Sequence, residues 1–387
     1  MPFAKITDLM LNIELIQAKR RERGLSGAEL AELCGVSREA VSNWLKGESE
    51  PRPSKAVALA KALELELREV LGLASPLSAP VVAYRTRLNR EVSEVASSSA
   101  QELAENMRRL LPQLPKQAKI SVSKDPEAKA TEGHVRTVAL TMRSRLGLSE
   151  LDAVEERHLL ELFRHFGAIL VPVLWGLDKE NHENALSVYL PDTESSFVVF
   201  NIGCKSEDYL YWLSHEFGHC LSLHSLQGKE GEDYAELFAQ QFLFTSAAAA
   251  ICSEEIGTRK GEAAFRIIDS WSERYGISSV TVLRAVDKYR ASKDHSQKLE
   301  RPLFWSRYEA KNKNSRSVVS RELGTDSPDP QAVIEFAKSH FGSPIYEALG
   351  KLQQIEGGRV PTVIQSTLML PFANAVGLSV ALWRAQD

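Results

Sequence analysis

The stretch Leu213–His224, LSHEFGHCLSLH, places two histidines four residues apart with a glutamate beside the first. That spacing constrains the fold more than any other feature of the chain. On a helix, His215 and His219 point the same way one turn apart, so both imidazoles can grip one ion. Leu210, Leu213, Phe217 and Leu221 form a separate apolar stripe that can pack the same helix on a sheet while the histidines face a cleft. Glu216 is placed to take a proton from a water beside the ion. A pattern with three fixed letters also arises by chance, so its surroundings must decide.

A helical stretch from about Glu132 to Phe166 leads to Gly167, and three β-like runs come next: AILVPVLW, ALSVYL and SSFVVFNIG. These runs lie just upstream of the histidine helix and end in FVVFN. Zincin peptidases, which this arrangement resembles, place such strands beside that helix, where an edge strand could hold an extended peptide by backbone pairing. Downstream, EGEDYAELFAQQF reads as a second helix from Glu232, with acids at its start. Three protein ligands leave a fourth position open for water, as catalysis requires.

HEFGH followed by E-x-x-A-E-x-F-A resembles the ImmA/IrrE family of metallopeptidases, in which HExxH precedes E-x-x-A-N-x-F-A. The resemblance spans roughly residues 132 to 290. Ala235 falls on the alanine of the run, and Phe238–Ala239 on its FA. It implies a zincin-like fold, a zinc ion held by His215, His219 and Glu232, Glu216 as the catalytic base, and a protein substrate. In that family the substrate is commonly a helix-turn-helix repressor. Upstream, VAYRTRL resembles a phrase that joins DNA-binding and peptidase parts sharing one chain. Three departures stand out. Glu236 replaces the family's asparagine and becomes a rival third ligand; LFTS closes the second helix where LMP is usual; and SLQGKEG must turn tightly between the helices.

His224 lies five residues beyond His219, rotated off the ligand face. Tyr209, Tyr211 and Tyr234 could donate to an oxyanion, although packing is the plainer role for each. Cys220 points away from the ligands and reads as buried.

The N-terminal segment reads as short helices broken by glycines: one from about Leu9 to Arg23, stopped at Gly24, then SGAELAELCG with Ser26 and Glu29 at capping-box spacing. VSREAVSNWLKG starts another helix at Ser37. A helix-turn-helix needs a small residue where its helices touch, a left-handed turn residue, and a buried aliphatic on the second helix. Ala31, Gly35 and Val41 stand at those places, with Leu30, Val36 and Trp44 on the inward face. This resembles the XRE family of lambda-repressor-like DNA-binding domains over roughly residues 10 to 73. The resemblance implies Arg38, Glu39, Ser42 and Asn43 at base edges, and Ser37 and Lys46 at phosphates. Gly27 stands where the family often has glutamine. The alternative is a small helical bundle for protein contacts, since residues 1–75 hold about as many acids as bases.

Across 387 residues, a net charge of −4 gives no global attraction to nucleic acid or membrane, so any such partner needs a local surface. The four scattered cysteines suggest no disulfide framework, and the start lacks a signal-peptide layout, so a cytoplasmic protein with no membrane partner is expected. The expected organisation is α+β: an all-α lambda-repressor-like domain at 1–75, a linker and helical connector of weak core content at 76–130, a zincin-like domain with a three-stranded sheet and HExxH helix at 131–291, and a helical extension at 292–387. The function expected is a DNA-binding transcriptional regulator, a homodimer on two half-sites of double-stranded DNA, carrying a zinc-dependent endopeptidase that cleaves a repressor-like protein. Two alternatives stay open: a non-catalytic transcription factor whose second domain senses an effector or partner, and an antitoxin-like binding module.

Overall fold

The computed structural model describes residues 11–49, 51–65, 67–71, 80–84, 94–115, 124–175, 185–293, 301–312 and 315–384. The chain divides into two compact units, Met1–Ala79 and Pro80–Asp387.

The first unit holds α1 (Ile13–Glu22), α2 (Gly27–Cys34), α3 (Arg38–Lys46), α4 (Pro53–Leu63) and α5 (Leu67–Val70). Its core is built from Ile16, Leu30, Ala31, Val41, Trp44, Leu59 and Leu63, with Val36 packed at its margin. Both halves of the capping box form: the Glu29 amide donates to Ser26 Oγ at 3.2 Å and the Ser26 amide to the Glu29 carboxylate at 2.8 Å. Gly35 supplies the left-handed turn at φ 61°. Lys55 of α4 donates to the carbonyls of Cys34 and Gly35 at 3.1 and 2.9 Å, a cation set on the negative end of α2. The first helix starts at Ile13, with Asn12 capping it, rather than near Leu9, and residues 1–10 lie outside the described residues.

In the second unit the sheet has four strands where three were expected: β1 (Val81–Tyr84), β2 (Ile169–Val173), β3 (Ala185–Leu190) and β4 (Ser195–Asn201), in the order β1-β3-β4-β2. β2 runs parallel to β4, and β3 is antiparallel to both β4 and β1. The added strand comes from the phrase VAYRTRL, of which Arg85–Leu88 lie outside the described residues. The FVVFN run is not an edge. β4 sits between β3 and β2, and Phe197, Val198, Val199 and Phe200 are all buried, as suits a strand apolar on both faces.

The helices of this unit are α6 (Glu94–Leu110), α7 (Glu132–Arg145), α8 (Glu156–His165), α9 (Ser206–Ser222), α10 (Gly228–Leu243), α11 (Ser246–Ile256), α12 (Gly261–Tyr275) and α13 (Ser279–Ser292). After them come α14 (Arg301–Asn312), α15 (Val318–Leu323), α16 (Pro330–Ser339), α17 (Ile345–Ile355), α18 (Pro361–Leu368) and α19 (Phe372–Arg384). Two parts read as peripheral belong to the main core. Leu103, Ala104, Met107 and Leu110 of α6 are fully buried, a helical face hidden in the sequence by the serines before it. Beyond residue 292, Val318, Ile345, Leu349 and Leu368 join the same core. The hydroxyls of Ser343 and Tyr346 donate to the β2 carbonyls of Leu170 and Pro172 at 2.6 and 2.7 Å, which covers that edge of the sheet.

α9 lies against β3 and packs along α10. The approach is closest at Gly218, where a Cβ would stand 2.9 Å from Ala235 Cα and 3.3 Å from the Cβ atoms of Ala235 and Phe238. α10 begins at Gly228, four residues earlier than its acids suggested, so the helix itself absorbs part of the short connection. Gly218→Ala should therefore destabilise the second unit by about 1–3 kcal/mol, because backbone rather than a flexible side chain must move. Denaturant unfolding measures it, and an unchanged midpoint would remove the claim that this contact is tight.

Candidate functional site

α9 and α10 together bring His215, His219 and Glu232 to one place. The two Nε2 atoms are 3.1 Å apart. Glu232 Oε2 lies 3.4 Å from His215 Nε2 and Oε1 lies 3.2 Å from His219 Nε2. These ligand atoms all lie within 4.8 Å of one another. Both histidines are buried, and Glu232 is 30% exposed at its side chain, so the group opens on one side. Burial pushes the Glu232 carboxyl up, but hydrogen bonds with His215 and His219 outweigh it and hold the group well below the usual carboxylate range. Two imidazole nitrogens and a carboxylate form the donor set that a divalent transition metal takes.

Glu216 is buried one step along α9, and its Oε2 accepts from Ser187 Oγ of β3 at 2.6 Å. The rival ligand falls elsewhere: Glu236 Oε2 stands 3.8 Å from His215 Nδ1, the ring nitrogen opposite the cluster, while Oε1 stands 3.3 Å from Arg284 of α13. Glu236 thus lies on the side of the His215 ring away from the cluster, beyond hydrogen-bond distance of that nitrogen. Sequence reasoning missed Ser187 and Arg284. The signal for Ser187 was a lone hydroxyl in ALSVYL, a strand whose every residue is buried and whose polar atom must find a partner.

The other residues considered are committed elsewhere. Tyr209 donates to Glu156 at 2.8 Å and Tyr234 to Asp125 at 2.9 Å, and Tyr211 is buried. Cys220 is buried, which pushes its thiol up. His224 lies in the turn after α9, where burial lowers its pKa.

In the first unit, α3 carries all the proposed DNA-reading residues apart from Ser37, which caps it. Arg38, Glu39 and Lys46 are exposed, Ser42 and Asn43 are half-buried, and Val41 and Trp44 face the core. Ser37 Oγ accepts from the Ala40 amide at 3.1 Å, which leaves its O–H as a donor.

Residues 16–70 match the family model described as Helix-turn-helix. Over 74 residues the chain is 36% identical to Repressor protein C2 of Salmonella phage P22, a match covering 19% of this chain and 33% of that repressor. The N-terminal unit is a helix-turn-helix domain. It is of the XRE, repressor-like type, and the chain spans only about a third of the curated relative it matches. The apo form of the competence regulator ComR from Streptococcus vestibularis aligns over 98% of this chain and 97% of its own at 14% identity, with a TM-score of 0.16, too low for a common superposition. Within the helix-turn-helix domain, the Gly35 turn and the buried Val41 set α3 at its angle to α2, while Gly27 offers no side chain at the position where glutamine is frequent.

Ser187→Ala should cost about 1–3 kcal/mol of stability, because it leaves a buried carboxylate oxygen without its donor. A denaturant midpoint equal to that of the parent protein would show that Glu216 does not depend on this hydroxyl.

Proposed function

We propose that this chain is a DNA-binding transcriptional regulator whose second unit is a zinc-dependent endopeptidase of the ImmA/IrrE type, acting on a repressor-like protein. The convergence of His215, His219 and Glu232, with Glu216 buried beside them, carries the reading. The lone pairs of the two Nε2 atoms and the Glu232 carboxylate would hold the ion. Zinc, when bound, supplies a Lewis acid for the peptide carbonyl and lowers the pKa of water. Glu216 takes a proton from the attacking water and returns it to the departing amide nitrogen. Ser187 occupies one carboxylate oxygen and so aims the other. Glu236, held near Arg284, places a negative charge on the far side of the His215 ring.

In the first unit, Arg38 pairs with guanine, Asn43 with adenine, and Glu39 accepts from cytosine, with Ser42 beside them; Ser37 and Lys46 contact phosphates. The similarity to a phage repressor supports the regulatory role, and a homodimer would place two such helices on two half-sites. Among the described residues no single helix is long and apolar enough to cross a membrane.

A second reading, a regulator that senses a small effector without cutting, is favoured by a cavity of about 380 Å³ lined by Trp175, Val333, Tyr346, Leu378 and the polar Asp326 and Asn374. Elemental mass spectrometry separates the two: the peptidase reading expects about one zinc per chain, lost in His215→Ala. Glu216→Gln should keep the metal and DNA binding yet abolish cleavage and derepression; unchanged regulation in that variant would favour the sensor. For the DNA face, Arg38→Ala or Asn43→Ala should each lose about 1–3 kcal/mol and relax preference at one base pair, whereas Lys46→Ala should weaken all sequences alike and reduce the salt slope by about 1. Binding titrations on randomised operators at two salt concentrations check both, and a uniform loss from Arg38→Ala would remove its role as a base reader.

A further inference from the structure

The sheet has one edge beside the cluster, and the chain fills it with its own residues. β3 supplies the serine that holds Glu216, and Ala83 of β1 is the residue paired opposite Ser187. Val81 is paired opposite Tyr189, and Val81, Ala83, Tyr189 and Leu223 at the end of α9 pack together. Paired residues share a face, so the odd-numbered residues of β1 face the helices that carry the cluster. α10, which brings Glu232, also packs against β1. The other edge, β2, is covered by Ser343 and Tyr346. Extended chain in the β1 position is therefore extended chain laid along the site.

We propose that the β3 edge is the peptide-binding strip of this site, that Val81–Tyr84 is its resident occupant, and that a polypeptide partner enters by replacing that strand. Cleavage of the bound partner rests on the peptidase reading, but the strip itself rests on the pairing alone. The occupant defines the partner: an extended segment, antiparallel to β3, with an apolar residue opposite Tyr189 and a small one opposite Ser187. A larger side chain at the second place would meet the Ser187–Glu216 pair. Four residues make a short strand, held by few ladder bonds. Its advantage over an outside peptide is its covalent attachment, which gives a high effective concentration.

The test uses the full chain and a fluorescein-labelled peptide with the sequence SAPVVAYRTR, residues 78–87. Val82→Pro removes an amide and disfavours pairing. Val82→Cys combined with Val188→Cys puts two thiols at directly opposed positions, on the face turned away from Glu216, and oxidation locks β1 in place. We expect weak peptide binding by the parent chain, binding at least ten-fold tighter by Val82→Pro, and none by the oxidised double variant until it is reduced. The locked and reduced forms are one protein, so the comparison stands even if the proline variant fails to fold. Equal peptide binding by locked and reduced forms overturns the proposal. Zinc content and cleavage of the same peptide are read on the same samples. Strand-dependent binding without zinc or cleavage leaves the strip standing and removes the peptidase; zinc with equal cleavage in all forms removes the strip and leaves the peptidase.

Discussion

Helices α9 and α10 touch through backbone at Gly218 and Ala235, and the geometry of the cluster depends on that approach. Any larger residue at 218 would force the two helices to shift against each other, since its Cβ would lie 2.9 Å from Ala235 Cα. Glu232 is one turn before Ala235, and the two histidines flank Gly218 at three residues before and one after. A shift there would move a carboxylate oxygen that now stands 3.2 Å from His219 Nε2. Two letters of the paired motifs, the glycine of HEFGH and the alanine of E-x-x-A, are thus packing letters. They carry no chemistry and determine whether the chemical letters meet.

The surroundings hold α10 as firmly as its contact with α9 does. Tyr234 is anchored on Asp125, which also pairs with His134 at 2.6 Å and donates its own amide to the Leu221 carbonyl of α9 at 2.9 Å. At the other end of α10 the buried Arg143 donates to the carbonyl of Phe242 and to those of Ser149 and Asp152. Burying a guanidinium is costly unless its donors are used, and here backbone carbonyls use them. Networks of this kind fix the positions of the clustered side chains within a narrow range, which a site assembled from two helices needs.

Legibility tracked the range of the interaction. The capping box at Ser26, the left-handed Gly35, and the histidine pair one turn apart depend on neighbours within four residues, and each could be read from the letters. The sheet could not be. VVAY is four residues long and is made a strand by its pairing with β3, about a hundred positions away, so nothing local marks it. The β-like runs could be read as strands near the histidine helix, but their adjacency in sequence said nothing of which one lies at the edge of the sheet. Ser187 and Arg284 act on Glu216 and Glu236 from elements distant in sequence, and a lone serine or arginine carries no motif. The share of 292–387 in the core was hidden for a related reason: its apolar residues are spread over several short helices, and only the assembled core shows which of them belong to it.

The charge around α3 sets what the helix-turn-helix domain can do by itself. Lys46 lies 3.9 Å from Glu48, so part of the positive charge on this face is offset by an acid. Attraction to a phosphate backbone grows with the number of phosphates neutralised, and residues 1–75 hold about as many acids as bases, which keeps that attraction modest. On the DNA-binding reading proposed above, affinity would then come from base edges, where each bidentate contact contributes about 1–3 kcal/mol, and from engaging two half-sites at once. A reader of this kind gains little from nonspecific DNA. Pairing two copies would raise its affinity steeply, because the second half-site is bound at the effective concentration set by the first.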